Sequence, residues 1–256
     1  MSLNLFKVIS LSANYSQESI SEIAASILEI YPTDQLQILY RTFCWQNIVL
    51  PEAQNKRNDL SAALITALKS GHATALRSAA DNIHRWGFGR PISAAVRESL
   101  AFWSDLEAML TVFAEMREDE IYQSVEPLSK LLSHNGLGIA TVSKWVCFVN
   151  QTRFAIFDSR VSIALRNVTI EGHRAFPVVG RRPSGGRLAW TATPLLSSCP
   201  IRTARAYIDY LQVVGRLTNT IGGMTAAQIE MALFMAGDVW PSECEVLKPL
   251  ARGIWS

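Results

Sequence analysis

Asp158, Lys144 and the glycine pair Gly136 and Gly138 have the residue types and spacing for chemistry. Asp158 follows the apolar run Phe154, Ala155, Ile156 and Phe157 and precedes Ser159, Arg160 and Val161. An Asp at the start of a helical pattern is a natural N-cap, because its short carboxylate accepts from the first-turn N–H groups. A carboxylate fixed in this way beside a cleft is also a well-oriented anion, able to stabilise a cationic sugar or orient a water. Gly136 and Gly138 lie about twenty residues upstream, after Leu128, Leu131 and Leu132 and before Val142, Val146 and Val149. Two glycines two apart let the chain turn sharply. They also leave N–H groups open at a helix start, where the positive end of the helix dipole suits a phosphate. Leu137 can fold back between the two helices, and Lys144, further along the second one, can add a phosphate contact. Taken singly, the glycines also fit an ordinary helical hairpin, and Asp158 a plain cap.

The elements that must position these residues read as helices. Ser19, Ile20, Ser21 and Glu22 form a capping-box pattern, followed by Ile23, Ile27 and Ile30 at helical spacing. Residues 60–80 are rich in Ala and Leu. Residues 92–116 place Val96, Leu100, Trp103, Leu106, Leu110 and Phe113 on one face, which predicts a long amphipathic helix. Residues 202–217 repeat the pattern through Tyr207, Ile208, Leu211 and Val214. Thr225 to Gln228 caps a last helix that carries Ile229, Leu233 and Ala236 and stops at Gly237. The acidic run Glu118, Asp119, Glu120 suits a helix start. Strand-like character is confined to residues 176–179 and 188–190. Between them lies the turn-rich basic loop 180–187, with Arg181, Arg182 and Arg187. The predicted fold is mainly α, with one short strand-like basic excursion.

Composition narrows the function classes. The chain has 256 residues, 49% of them hydrophobic and 18% charged, so it can build a core and is not a disordered tract. Its net charge of +2 names no partner by itself. The charge is uneven, however. Residues 1–150 carry −3, and residues 151–216 carry ten Arg against three acidic groups, a net of +7. Arg forks onto phosphates and stacks on flat rings, so this block points either to a polyanion or to a solvated basic surface. No run of about 18 apolar residues marks a membrane span. The first twenty residues lack a clear apolar signal core and read as mature chain. Cys44, Cys147, Cys199 and Cys244 are scattered without a CxxC pair, and His72, His84, His134 and His173 show no HExxH spacing. That disfavours a zinc or iron–sulfur site and reads as reduced thiols in a cytoplasmic protein.

The hairpin and the carboxylate together are more specific than either one. The pattern L-x-x-x-x-G-x-G-x-x-T, an apolar helix, and then F-x-I-x-D-S-R-V resembles the helix–hairpin–helix DNA glycosylase superfamily. Within it, the form is similar to a bacterial subgroup related to 8-oxoguanine DNA glycosylase. Gly136, Leu137, Gly138 and Thr141 match the hairpin, and Asp158 with Val161 matches the catalytic segment. The matched motifs cover residues 128–166. The resemblance implies two helical lobes with a cleft between them: residues 1–60 plus 167–256 as one lobe carrying the basic loop, and residues 61–166 as the other, containing the hairpin.

The resemblance also implies roles. Asp158 would stabilise the sugar cation that forms as an N-glycosidic bond breaks and would orient water. Gly136, Leu137, Gly138 and Lys144 would hold the DNA backbone, and Arg153, Arg160, Arg181, Arg182 and Arg187 would line the wider DNA track. Trp86, Phe88 and Gln228 are candidates for the base pocket, with Glu230 on the same last helix; Trp145 reads as core. Bifunctional members carry a Lys two residues after the second hairpin glycine, and this chain has Ala140 there. Lys144 is four residues further on, one helical turn away. A monofunctional glycosylase without strand cleavage is therefore expected, acting on a damaged base in repair or on a modified base in foreign DNA. The implied partner is DNA and the implied form a monomer, with no cofactor, no metal and no metal cluster. A non-enzymatic hairpin module that only binds DNA is the alternative, and a helical interaction protein without nucleic acid is a third reading.

Overall fold

The computed structural model of the chain describes residues 15–177 and 199–237. It is mainly α. In chain order the helices and strands are α1 (Gln17–Ile30), α2 (Thr33–Arg41), β1 (Cys44–Trp45), β2 (Ile48–Val49), α3 (Glu52–Ser70), α4 (Ala73–Phe88), α5 (Ala94–Arg97), α6 (Leu100–Glu115) and α7 (Val125–Leu132). They continue as α8 (Ile139–Val149), α9 (Ser159–Ala164), β3 (Thr169–Ile170), β4 (His173–Arg174), α10 (Pro200–Ile221) and α11 (Ala226–Ala236). The strands form two small antiparallel hairpins, β1 with β2 and β3 with β4.

The centre of the fold is α8. Every residue from Val142 to Val149 is buried, and α3, α4, α6 and α10 all pack against it. A helix that is apolar all round needs neighbours on every side, and this one has them. Trp145 is fully buried and donates its indole N–H to the Ala80 carbonyl of α4 at 3.0 Å. It is a core residue, as its position in the hairpin predicts.

Between α8 and α9 the chain runs through the core outside helix or strand. Phe154, Ala155, Ile156 and Phe157 are all at most 2% exposed. A buried segment outside helix or sheet must find partners for its peptide groups. Here α10 supplies two: Tyr207 donates to the Ala155 carbonyl at 2.9 Å and Tyr210 to that of Ile156 at 3.0 Å. Helix α8 supplies two more: the Cys147 thiol donates to the Phe154 carbonyl at 3.3 Å, and the Ser143 hydroxyl accepts from the Phe157 N–H at 3.0 Å.

The structure corrects several sequence expectations. Residues 92–116 form two helices rather than one long one. The chain breaks before Ser99, whose hydroxyl accepts from the Phe102 N–H and starts α6 afresh. Leu100, the first residue of α6, lies 75% exposed instead of on the apolar face. Ile30, at the end of α1, is also exposed. The acidic run opens a 3-10 helix over Glu118–Ser124, with Glu120 bonded back to the Arg117 N–H. Of the expected strand segments, Phe176 and Pro177 are not in a strand; residues 178–179, 188–190 and the basic loop lie outside the described residues. The unexpected β1–β2 hairpin turns through Gln46 and Asn47, both at positive φ (52° and 64°). Cys147 and Cys199 are free thiols. Among the described residues no helix is long and apolar enough to cross a membrane, and no group of three His, Cys, Asp or Glu is placed to hold a metal.

Two outcomes follow. Tyr210→Phe strands the buried Ile156 carbonyl and should cost about 1–3 kcal/mol in urea unfolding. On α10, Asp209 is 4% exposed and its Oδ1 lacks a partner; burial pushes its carboxyl up to about 7. A raised carboxyl stabilises the fold while protonated, and that contribution is lost as pH rises from the unfolded value near 4 through 7. Asp209→Asn should therefore match the wild type near pH 4 and melt higher than it at pH 8.

Candidate active site

Asp158 ends this buried segment and caps α9. Its Oδ1 accepts from the Arg160 N–H at 3.0 Å and the Val161 N–H at 3.2 Å. These two bonds fix the carboxylate plane and leave Oδ2 beside Lys144, whose Nζ is 3.8 Å away. Asp158 keeps 16% of its side-chain surface exposed and Lys144 only 6%.

Both residues open onto one pocket. Its wall includes Phe43 at the end of the turn after α2, Trp45 of β1, Arg57 of α3, Trp86 and Gly87 of α4, Ile156, and Glu230 and Phe234 of α11. Aromatic rings therefore flank a small cluster of charges. Trp45 meets Phe234 edge to face at 5.4 Å, Phe43 meets Phe234 at 5.6 Å, and Trp86 stands on Phe148 at 5.2 Å.

Lys144 reaches the pocket by bending back along its own helix. Side chains on an α-helix lean toward its N-terminus, and here the Lys144 amine donates to the Ala140 carbonyl at 3.0 Å. It also lies 4.5 Å from the centre of the Phe88 ring. Desolvation pulls this amine below the usual lysine range, against Asp158 and Glu230, which favour its protonated form. The neutral amine is thus more accessible here than on a surface lysine.

Under the pocket, Arg57 and Glu230 form a buried ion pair at 2.8 Å, with side chains 1% and 2% exposed. Arg57 also donates to the Cys147 sulfur at 3.3 Å and to Gln151 Oε1 at 3.2 Å, and its guanidinium lies 5.5 Å from the centre of the Trp86 ring and 5.6 Å from that of Phe148. Burial pushes the Glu230 carboxyl up, opposed by Arg57. The Cys147 thiol is pushed up to about 12 by burial and stays protonated.

The remaining candidates divide. Gly136, at φ +84°, makes the turn between α7 and α8. Gly138 is the N-cap of α8, with no side chain capping that end, and Leu137 packs on the core between the helices. The hairpin N–H groups thus sit at one end of α8 and Lys144 a turn further in. Lys144 points inward to Asp158, away from the phosphate contact expected of it. Arg160 spreads its guanidinium over Trp45 at 4.9 Å and Phe234 at 4.5 Å, at the pocket wall. Arg153 donates to the Met116 carbonyl at 2.8 Å and covers Phe154, both local contacts.

Trp86 lines the pocket, whereas Phe88 is 37% exposed, lies outside the pocket lining and touches the Lys144 amine. Gln228 is spent on the capping box of α11, accepting from the Thr225 N–H at 2.9 Å and donating to the Tyr40 hydroxyl at 3.1 Å. Arg181, Arg182 and Arg187 lie outside the described residues.

Phe43, Trp45, Arg57 and Phe234 were not anticipated. A signal existed for Arg57: it stands in register with the buried Ala53, Leu60, Leu64 and Ala67, the core face of α3. Glu230 and Lys144 are likewise lone charges in apolar helices. A charge on an apolar face is costly unless paired, so three such residues predict a shared buried cluster. Removing one partner of the pair leaves the other stranded. Arg57→Leu should cost about 3–5 kcal/mol in chemical denaturation, and the double change with Glu230→Leu should cost clearly less.

Comparison with known proteins places the chain. No curated protein and no solved structure matches it. Residues 50–234 match a protein family described as putative 8-oxoguanine DNA glycosylase OGG-like protein. That stretch contains the α7–α8 hairpin, Asp158 and nearly the whole pocket wall. It spans well over half of the chain, which therefore belongs to this OGG-like DNA glycosylase family.

Proposed function

We propose that the chain breaks the N-glycosidic bond of a damaged or modified base in DNA, with Asp158 as the catalytic carboxylate. The observation that carries this reading is the Asp158 carboxylate at the edge of an aromatic-walled pocket, its Oδ1 held by cap bonds and its Oδ2 left outside them. The target nucleotide leaves the helical stack, because its glycosidic bond is inaccessible inside a duplex. Trp45, Trp86 and Phe234 offer ring faces and edges to the extruded base. As the bond breaks, positive charge grows on the sugar, and a preoriented carboxylate in a partly desolvated site stabilises it. Water then attacks the sugar from the face opposite the departing base, guided by the same carboxylate. The open N–H groups of the hairpin at Gly136 and Gly138 hold a backbone phosphate, and Arg153, Arg160, Arg181, Arg182 and Arg187 supply the surrounding positive charge. Ala140 supports a monofunctional enzyme, since the usual amine is missing there. The biological setting is base-excision repair or removal of modified bases from foreign DNA.

One observation favours a second reading. The Lys144 amine lies beside Asp158 in the pocket although its Cα is one turn beyond Ala140. If this amine displaces the base at C1′, it forms an imine with the opened sugar after losing a proton. Loss of a C2′ proton then expels the 3′ phosphate, and water releases the lysine. The enzyme would be bifunctional.

A base-release screen on DNAs with oxidised, alkylated and hypermodified bases tests both readings. Release is expected from at least one DNA, and Asp158→Asn in folded, DNA-binding protein should slow it by at least about 100-fold. Strand breaks only after alkali support the monofunctional reading. Breaks without alkali, with borohydride trapping of a protein–DNA adduct lost in Lys144→Ala, support the second. Undiminished release by Asp158→Asn overturns the role of the carboxylate, and DNA binding without release from any substrate leaves a non-enzymatic hairpin module.

A further inference from the structure

Gly87 sits in the last turn of α4, between Trp86, which lines the pocket, and Phe88, which covers the Lys144 amine. Its backbone is ordinary helix, so no conformational demand calls for glycine there. On such a backbone alanine is the better helix former. The reason for glycine lies in the space beside it. A Cβ at this position would run into Cδ and Cε of Lys144, well inside van der Waals contact. The nearby Gly89, by contrast, has open space around it and a positive φ of +66° as the cap of α4. The two glycines therefore do different work.

The stem of Lys144 uses the missing side chain as its passage. From α8 it runs back past Gly87, bonds the Ala140 carbonyl and brings the amine within 3.8 Å of Asp158. Only the flexible outer part of the lysine touches this position, so an added methyl group would push the lysine aside rather than disturb the backbone.

We infer that Gly87 is a positioning residue: its lack of a side chain admits the Lys144 stem between α4 and α8 and so delivers an amine to the Asp158 pocket. This goes beyond the role of Asp158, and it rests on the proposed function only where catalysis is the readout. The charged and titratable groups that face the amine are Asp158 ahead of α9, Glu230 on α11, Arg57 on α3, Cys147 on α8 itself and His84 on α4. Their summed influence, with desolvation, defines the environment that the amine leaves when Gly87 is filled.

The test compares the wild type, Gly87→Ala, Lys144→Ala and the double variant, with Lys144→Arg to assign signals. The full chain is labelled with 15N-lysine, and each Nζ resonance is followed against pH. In the wild type the Lys144 signal should titrate below the other lysines. In Gly87→Ala it should move up toward them, while the melting temperature stays the same or rises. An unchanged Lys144 titration in folded Gly87→Ala overturns the inference. Base release supplies the second arm. Gly87→Ala should lower the rate in the wild-type background and have no effect in the Lys144→Ala background; equal losses in both would overturn the link through the lysine. If no DNA releases a base, the proposed function fails, and the resonance arm still decides the role of Gly87.

Discussion

The site depends on burying four consecutive residues outside any helix or strand. Phe154, Ala155, Ile156 and Phe157 belong neither to a sheet nor to a helix, and all four lie in the core. Peptide groups that are dry and unpaired are costly, so helices on both sides are committed to bonding them. Tyr207 and Tyr210 serve this segment from α10, and Ser143 and Cys147 from α8. The rail ends at Asp158, where its constraint is handed to the cap of α9. The position of the carboxylate therefore reflects the packing of α8, α9 and α10 together, and a change well away from it acts through the rail.

Three lone charges complete the design. Arg57, Lys144 and Glu230 each sit on a buried face of a different helix, and each is costly by itself. Arg57 and Glu230 satisfy one another and leave Lys144 to Asp158. The packing of α11 against α2 and α9 brings Glu230 and Phe234 to the same place. A cluster of this kind holds the pocket open to polar chemistry that a purely apolar core would exclude. It also ties α3, α8 and α11 into one unit, so the site and the core are the same structure seen from two sides.

Much of the scaffold was legible from apolar spacing. The first helix, the hairpin, the long α10 and the cap of α11 follow from period and capping residues that act locally. The break at Ser99 was missed because an apolar face can be drawn through it, although a serine cap restarts the helix there. The β1–β2 hairpin was missed because each strand has two residues and its turn, Gln46 and Asn47, lacks glycine. Within the site, Asp158 and Trp86 could be named from motif and composition. Trp45, Arg57 and Phe234 come from distant parts of the chain and meet only through tertiary packing. Lys144 was named, but its direction was not: counting residues along α8 places its Cα a turn too far, whereas the side chain runs back by that same turn.

Arg160 lies across Trp45 and Phe234 with its planar guanidinium. A guanidinium on a ring has much the shape and polarisability of a flat heterocycle. On the ring faces that Arg160 covers, the seat is already taken, and a guest that stacks there must exchange with it. Apparent affinity is then a difference between two stacking energies rather than one of them, and selectivity follows from that difference.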